Sequence, residues 1–425
     1  MSDPKSDEMT SEPIVVPIRR QSIVLRSGAC DMRVGPGVAD QLGQATKSVA
    51  GKPGHTLLVA GDDVSGELVE RLRRSLVDVG FSVTVREVPS GRESRKLAHA
   101  MRLYDEFTAA GVTPDDPVVV VGDADVLSLV LFAAATWQTG SPVVSVPTTL
   151  DGMVDVPVTP RAVDSASMPE SLRTRANLRF SLCDTDLLPA AADDPTTLMA
   201  YAVLVAGAVA AGESAFSDLA VRADGIVSAD AATLVDEILD ITKARTRVAS
   251  STALAMRQGI LYGLSVGRAL GACLAEQDDK GGQLAVEREV CEGRLLAEGL
   301  RVSARLAAAR QAPDQAVVDL VFAQDGLLEA LRADEFAHSN RFMPALPLGF
   351  GRVRLCSVED ETLLAHLSGW CRARRKLARR LARQAEEAAA AETSAPSDAV
   401  AGDAAAPEAP ATENAVAPAG SSADK

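Results

Sequence analysis

Polar residues that could bind a ligand follow two short apolar runs near the middle of the sequence. The run at residues 118–121 ends at Gly122 and Asp123, and the run at 142–146 leads into Thr148 and Thr149. Short β-branched runs bounded by Gly, Pro and Asp predict buried parallel strands, and the helix-like segment between them completes a βαβ unit. Ligands bind at the carboxyl ends of such strands, so the sequence predicts a site at residues 122–125 and 148–155.

The flanking sequence predicts the strands and helices that would hold this site in place. Strand candidates lie at residues 14–18, 23–25, 56–60, 82–88 and 177–183, and helical spacing appears at 64–79 and 95–110. In the second helix, Leu97, Met101 and Phe107 are predicted to form the apolar side. After residue 186 the strand signals nearly disappear, so an α/β domain at residues 14–186 is predicted to precede a helical domain at 187–387.

Several motifs in this region carry a resemblance to a known family. They are Phe132 with Thr136 and Trp137, then Gly140, the run Val-Pro-Thr-Thr-Leu that ends at Leu150, and Val154 with Asp155. Over roughly residues 14–370 the chain resembles the 3-dehydroquinate synthase family. The resemblance implies a doubly wound Rossmann-like α/β domain followed by an all-helical C-terminal domain. It also implies NAD and a divalent metal, usually zinc, used to convert a seven-carbon keto-acid phosphate into 3-dehydroquinate.

The chain departs from that family at the loop that would bind the NAD diphosphate. The family has Gly-Gly-Gly-x-x-Gly-Asp, whereas residues 122–128 read Gly-Asp-Ala-Asp-Val-Leu-Ser. Asp123 and Asp125 would place negative charge at the diphosphate, so we predict no cofactor and an ordinary strand-to-helix turn with Asp125 as the N-cap. The surviving positions that could still contact a cofactor are Asp62, Gly122, Thr148, Thr149 and Asp184.

The three metal-ligand positions of the family are also changed. The resemblance places Ala202, Leu264 and Glu292 there, and none of His55, His99, His338 and His366 falls at a matched position. A catalytic zinc site needs about three protein ligands, so Glu292 alone predicts no bound metal. Ala202, Val205 and Leu264 are apolar, and we expect a packed helical core at that place.

The basic residues that would hold the substrate's phosphate and carboxylate are mostly replaced. Arg161 and Arg179 remain as candidates for binding an anion, and Asp155 and Arg257 are the family-matched survivors among the catalytic positions. Structural roles as caps and buried polar pairs are the favoured interpretation for all four. A small-anion site would require the arginines at 161, 179 and 257 to surround one pocket.

Composition limits the classes of partner. The net charge of −15 and the aromatic fraction of 3% argue against nucleic-acid binding. The longest apolar run, at residues 198–212, is too short to span a bilayer and predicts a buried core helix instead. Six cysteines without a CxxC motif, and a polar acidic start, predict a cytoplasmic protein with reduced thiols.

The two ends of the sequence differ from the rest. Residues 1–13 are predicted to be a disordered leader, and residues 388–425 a disordered Ala/Pro/Ser/Glu tail. Seven basic residues lie between positions 370 and 383, where a solvated helix face is favoured over a patch for nucleic acid or another acidic partner.

These observations predict a degenerate family member that has lost its NAD- and metal-dependent chemistry and acts by binding, as a partner or regulator of a related enzyme. The first alternative is an active 3-dehydroquinate synthase or other sugar phosphate cyclase with a rebuilt site. The second alternative is a small-anion binding protein. The resemblance also implies a homodimer.

Overall fold

A parallel sheet organises the first half of the chain. The computed structural model describes residues 16–394, except 167, 176, 190–194, 254–256, 271–291, 294 and 302–342. Within that part, seven strands form the sheet in the order β1-β2-β7-β6-β5-β3-β4, with only β1 antiparallel to its neighbour. They are β1 (Arg19–Leu25), β2 (Gly28–Val34), β3 (His55–Gly61), β4 (Ser82–Val88), β5 (Val118–Gly122), β6 (Val143–Pro147) and β7 (Leu178–Cys183).

The central strands are buried on both faces, which explains their continuous apolar runs. All five residues of β5 and all five of β6 are buried. Alternate side chains point to opposite faces, so Val118 and Val120 join one hydrophobic cluster while Val119 and Val121 join the other. The strands predicted at 56–60, 82–88 and 177–183 are confirmed within one residue at their ends. The 23–25 candidate lies inside β1, and the 14–18 candidate is not a strand where the structure describes it, at residues 16–18.

Five helices complete the α/β half. They are α1 (Leu42–Ala50), α2 (Gly66–Asp78), α3 (Leu97–Ala110), α4 (Ala124–Thr136) and the short α5 (Leu150–Val154). The helix predicted from the spacing at residues 64–79 is confirmed by α2, in which Leu72 and Leu76 are buried and Ser65 caps the helix by accepting a hydrogen bond from Leu68 N. In α3 the prediction for Met101 is wrong, because its side chain is exposed while Phe107 is buried.

Three long helices follow. They are α6 (Pro195–Ala211), α7 (Glu213–Val227) and α8 (Ala231–Ala249). Of these, α8 packs directly against β1 and β2, while α6 and α7 pack against α8. Leu234 and Ile238 of α8 and Leu204 of α6 belong to the same buried cluster as Leu57 and Val120 of the sheet. Gly207 lets α6 approach α8, because a Cβ at this position would lie 2.6 Å from Ile241 Cδ1. The two halves therefore share one core.

The described C-terminal part consists of a hairpin and a long helix. Strands β8 (Ala345–Pro347) and β9 (Val353–Leu355) pair antiparallel, and the last helix runs from Asp360 to Ser394. The chain to Cys371 forms one compact unit, and residues from Arg372 onward form a second. Arg372, Lys376 and Arg379 are exposed on this helix. The predicted leader and the tail beyond residue 394 lie outside the described residues, while residues 388–394 continue the helix.

The described helices also answer the question of membrane spans. None of them combines the length and the apolar character that crossing a bilayer requires.

Candidate functional site

The predicted site lies where the order of the sheet reverses. β4 pairs with one edge of β3 and β5 pairs with the other, so the carboxyl ends of β3 and β5 border the switch point at which α/β proteins bind ligands. Gly122 ends β5 with a φ of 153°, and a Cβ there would lie only 3.0 Å from Val126 Cγ1. Glycine is therefore required for the turn from β5 into α4.

The carboxylate of Asp123 accepts hydrogen bonds from the backbone amides at the start of α4. Asp125 N and Val126 N donate to Asp123 Oδ1 at 2.9 and 2.8 Å, and Gly91 N donates to Asp123 Oδ2 at 2.6 Å. Asp123 is the N-cap, so the prediction that Asp125 caps this helix is wrong. Free amides at a helix N-terminus are what a diphosphate binds. Here a side chain of the protein already accepts their hydrogen bonds.

Burial affects the charge of this cap. It raises the pKa of Asp123 to about 6, with a further contribution from the neighbouring carboxylate of Asp125, against the hydrogen bonds from the backbone amides. An anionic ligand at this place would add a further negative charge to a buried carboxylate. The turn therefore does not fit an NAD diphosphate.

Asp125 instead lies in a buried ion-pair network. Arg161 Nη1 donates to Asp125 Oδ1 at 2.8 Å, and Arg95 Nε lies 3.0 Å from the same oxygen without the alignment of a hydrogen bond. Arg161 Nη2 donates to Asp151 Oδ2. The Arg95 side chain is only 3% exposed, so its charge depends on these partners rather than on water.

The network fixes the ionisation of its members. Burial opposes ionisation of Asp125, but Arg161 and Arg95 outweigh it and lower the pKa of this carboxyl. Burial likewise lowers the pKa of Arg95, and Asp125 and Glu292 more than offset this, so the net change is upward. The pKa of Asp151 is raised by burial in spite of Arg161. The arginines and Asp125 are therefore held charged.

Glu292, at one of the family's metal-ligand positions, is bound by the same arginine. Arg95 Nη2 donates to its Oε1 at 2.7 Å and to its Oε2 at 2.6 Å, and Arg92 Nη1 donates to Oε1 at 3.0 Å. Glu170 adds contacts of 3.4 Å to Arg95 and to Arg268. A guanidinium thus neutralises the carboxylate where the family would use a metal ion.

Asp155 is engaged in a similar way beside the network. Arg245 Nη2 donates to Asp155 Oδ1 and, at 2.6 Å, to Thr159 Oγ1, which itself donates to Asp155 Oδ1 at 2.6 Å. Arg245 comes from α8, whereas Asp155 and Thr159 follow α5. The contact therefore joins the helical half to the α/β half.

The other predicted cofactor contacts serve the backbone. Thr149 caps α5 by accepting from Gly152 N at 3.3 Å, and Thr148 N donates to Gly122 O at 2.9 Å. Ser90 N donates to Asp62 Oδ1 at 2.8 Å, which fixes the turn after β4. Asp184 accepts from Gly37 N at 2.8 Å and from Ala39 N at 3.1 Å.

The three candidate arginines do not surround one pocket. Arg161 is buried in the ion-pair network. Arg179 is the second residue of β7 and is exposed, and five residues of strand, about 16 Å, separate it from the carboxyl-end Asp184. Arg257 Nη1 donates to the carbonyls of Ser251 and Thr252, just after α8 ends.

The three metal-ligand positions of the family lie in different surroundings in this chain. Ala202 is buried in the main hydrophobic cluster and Leu264 packs against it, as expected, whereas the expected packing is wrong for Val205, which is 37% exposed and lines a cavity together with Ala202. Among the described residues no group of three His, Cys, Asp or Glu side chains could hold a metal ion. His338 lies outside the described residues, and His55, at the start of β3, lies at the opposite end of the sheet.

Sequence reasoning named Arg161 but missed Arg95 and Arg245, the other two arginines that organise the site. In the family, a Gly-Glu-x-x-Lys motif resembles Gly91 to Arg95 of this chain, so that Arg95 keeps a positive charge at the lysine position. Asp125 and Glu292 both introduce carboxylates at positions where the family has a glycine-rich loop and a histidine. Two new acids matched with retained bases were a signal for internal ion pairs.

Comparison with known proteins agrees with the resemblance. The family model described as 3-dehydroquinate synthase N-terminal matches residues 85–194. The chain is 31% identical to the 3-dehydroquinate synthase of Caulobacter vibrioides (strain NA1000 / CB15N) over 172 residues, which are 40% of this chain and 46% of that enzyme. It is 28% identical to the 3-dehydroquinate synthase of Pelotomaculum thermopropionicum over 282 residues, 65% of this chain and 71% of that enzyme. The first alignment thus spans about half the length of the Caulobacter enzyme.

Solved structures share the fold. A 2-deoxy-scyllo-inosose synthase complexed with carbaglucose-6-phosphate, NAD+ and Co2+ superposes with a TM-score of 0.67 at 17% identity, covering 82% of this chain and 99% of that one. The same values hold for the 2-epi-5-epi-valiolone synthase from Streptomyces hygroscopicus subsp. jinggangensis 5008 with NAD+ and Zn2+ bound.

Proposed function

Because the chain belongs to the dehydroquinate synthase-like superfamily, we propose that it is a member that has lost NAD- and metal-dependent catalysis and acts by binding. The partner class proposed is a protein, such as a related enzyme that it regulates, and the homodimer of the family is retained as part of the proposal. The ion-pair network around Arg95 is the observation that supports it.

Contacts within the protein take the place that each cofactor would need. Asp123 takes the amides that a diphosphate would use, and Arg95 neutralises Glu292 where a metal ion would lie. Binding NAD would require Asp123 to leave three hydrogen bonds, and a metal at Glu292 would have to displace two arginines. Leaving buried charges without partners costs several kcal/mol, which neither ligand recovers with the groups present.

Ligand-induced stabilisation tests this proposal. The full chain is melted with and without 1 mM NAD, with ZnCl2, and with both, beside the Caulobacter 3-dehydroquinate synthase as the positive control. A ligand at about 100 times its Kd stabilises by about 2.7 kcal/mol, a shift of a few degrees in Tm. We expect no shift for this chain, and no stoichiometric zinc or cobalt by elemental analysis after dialysis.

The active-enzyme alternative makes the opposite forecast. An active cyclase with a rebuilt site would release phosphate from the seven-carbon keto-acid phosphate in an NAD-dependent manner. About one metal ion per chain that is lost in Glu292→Ala, or an NAD-dependent rise in Tm, would overturn the proposal in favour of that enzyme.

A further inference from the structure

An apolar cavity lies beside α6, next to one of the changed metal-ligand positions. Its volume is about 590 Å³, within the range of small-molecule sites. Leu198, Ala202, Val205 and Val209 line it from α6, and Phe216 and Phe350 line it from the other side, with their rings 5.2 Å apart. Val205, Phe216 and Phe350 are among the exposed large apolar side chains of the described chain, and all three face this one cavity.

The spacing of the α6 residues explains how the cavity forms. Positions 198, 202, 205 and 209 lie on one face of the helix, and Ala200, Val203 and Leu204 are buried in the main cluster, which Ala202 also joins at the border between the two faces. The prediction of a buried core helix is therefore correct for one face only. The second apolar face is turned towards the cavity, which is unusual for a surface exposed to water.

The described lining of this space contains few polar side chains. Tyr262 is buried and its hydroxyl already donates to Leu300 O at 3.1 Å, which leaves Tyr201 and Arg301. Arg301 Nη1 donates to Glu298 Oε1 at 2.7 Å, and the Arg301 side chain is 60% exposed at the rim. Among the described residues that line the cavity, Arg301 is the one that carries a charge. A polyhydroxylated sugar phosphate would lose hydrogen bonds to water here without replacing them.

We infer that this cavity binds a small amphipathic anion, with an apolar ring or chain against α6 and the two phenylalanines and its carboxylate or sulfonate at Arg301. The inference goes beyond the proposed protein partner and rests on the proposed loss of catalysis, because the lining suits an apolar ligand in place of a sugar phosphate. Aromatic and aliphatic side chains bind the body of the ligand by burial of apolar area, and Arg301 supplies a charge complementary to its head.

Two fluorescent probes test the assignment on the full chain. 8-Anilinonaphthalene-1-sulfonate has an apolar aromatic body and an anionic group, and N-phenyl-1-naphthylamine is its neutral counterpart. We expect saturable binding of both at one site per chain. Arg301→Gln should weaken binding of the sulfonate about tenfold and leave the neutral probe unchanged.

A matched pair of variants identifies the cavity as the site. Val205→Glu places a carboxylate in the lining and should abolish binding of both probes. Val221→Glu is the control, since Val221 is 85% exposed on α7 and does not line the cavity. Both positions are exposed enough to accept the substitution, and an unchanged melting curve verifies that each variant folds.

Three results would overturn the inference. They are probe binding that Val205→Glu leaves unchanged, sulfonate affinity that Arg301→Gln leaves unchanged, and displacement of the probes by glucose 6-phosphate. Failure of the proposed function has a separate readout, because it appears as stabilisation by NAD or zinc in the melting experiment. Neither of those measurements involves the probes.

Discussion

Arg95 is the residue on which the site depends. It contacts Asp125 in the first turn of α4, Glu170, and Glu292 from the helical half, and it is almost fully buried. Buried ion pairs contribute little net stability relative to apolar packing, but removing one member leaves an uncompensated charge. The charge of each partner is therefore constrained by the others. Single substitutions here should reduce the free energy of unfolding far more than substitutions at the surface.

The first residue-scale prediction compares two arginines of the same turn. Arg95→Met should reduce the free energy of unfolding by about 3–5 kcal/mol, because three carboxylates lose a buried partner. Arg92→Met is the matched control: Arg92 also contacts Glu292, but its side chain is 60% exposed, so a loss within about 1 kcal/mol is expected. Urea denaturation measures both, and equal losses would show that the network is not buried in solution.

The location of the site residues at the ends of strands could be predicted from the sequence, whereas their contacts could not. Gly122, Thr148 and Thr149 lie at the carboxyl ends of strands, as the βαβ pattern predicts. The cap of α4 was assigned to the wrong aspartate, since Asp123 and Asp125 both lie in the first turn and spacing does not tell which one reaches the amides. The partners Arg95 and Glu292 are 197 residues apart, and no local pattern relates them.

At the scale of elements, the start of α4 carries a charge that depends on pH. The pKa of Asp123 is raised to about 6 in the folded chain, from an ordinary value of 3.8. The folded state therefore binds this proton more tightly than the unfolded state. The resulting stabilisation is fully present below about pH 3.8 and is lost as the pH rises through about 6.

The element-scale prediction follows from that sign. Between pH 4.5 and 7.5 the stability of the natural chain relative to Asp123→Asn should fall by about 2 kcal/mol, because the asparagine does not titrate. Unfolding by urea at both pH values measures the difference. Asp230→Asn, at the N-cap of α8, is the control, since hydrogen bonds from Thr233 lower the pKa of Asp230. Its difference should not fall as the pH rises, and a parallel fall in both variants would contradict the assignment.

Strands and helices were predictable where burial is periodic, and less so where it depends on distant pairing. β5 and β6 are continuous valine-rich runs, whereas β2 alternates apolar residues with Asp31 and Arg33 and was not recognised. β2 acquires its place by pairing with β7, about 150 residues later. The length of α6 was apparent from its composition, but a helix that is apolar all round gives no indication of which face meets the core.

At the scale of the whole molecule, the α/β half and the helical half are joined by both apolar and ionic contacts. α8 packs against β1 and β2, and α6 packs against α5 and α8, so that Leu204, Leu234 and Ile238 join the same cluster as Leu57 and Val120. Arg245 on α8 forms an ion pair with Asp155, and Glu292 forms an ion pair with Arg95. The domain boundary predicted near residue 186 therefore runs through a continuous core.

The last prediction concerns how the two halves unfold. A chain that ends at Leu188 would expose Ile23 and Met32 of β1 and β2 and the side of α5 that packs against α6, because α6 and α8 would be missing. An apolar surface of that size is not stable in water, so we expect this fragment to lack a cooperative transition. In the full chain, the compact unit that ends at Cys371 should unfold in a single transition. Scanning calorimetry should then give equal calorimetric and van't Hoff enthalpies. Two resolved transitions in the full chain, or a sharp one in the fragment, would mean that the α/β half folds alone and that the shared core forms by later docking.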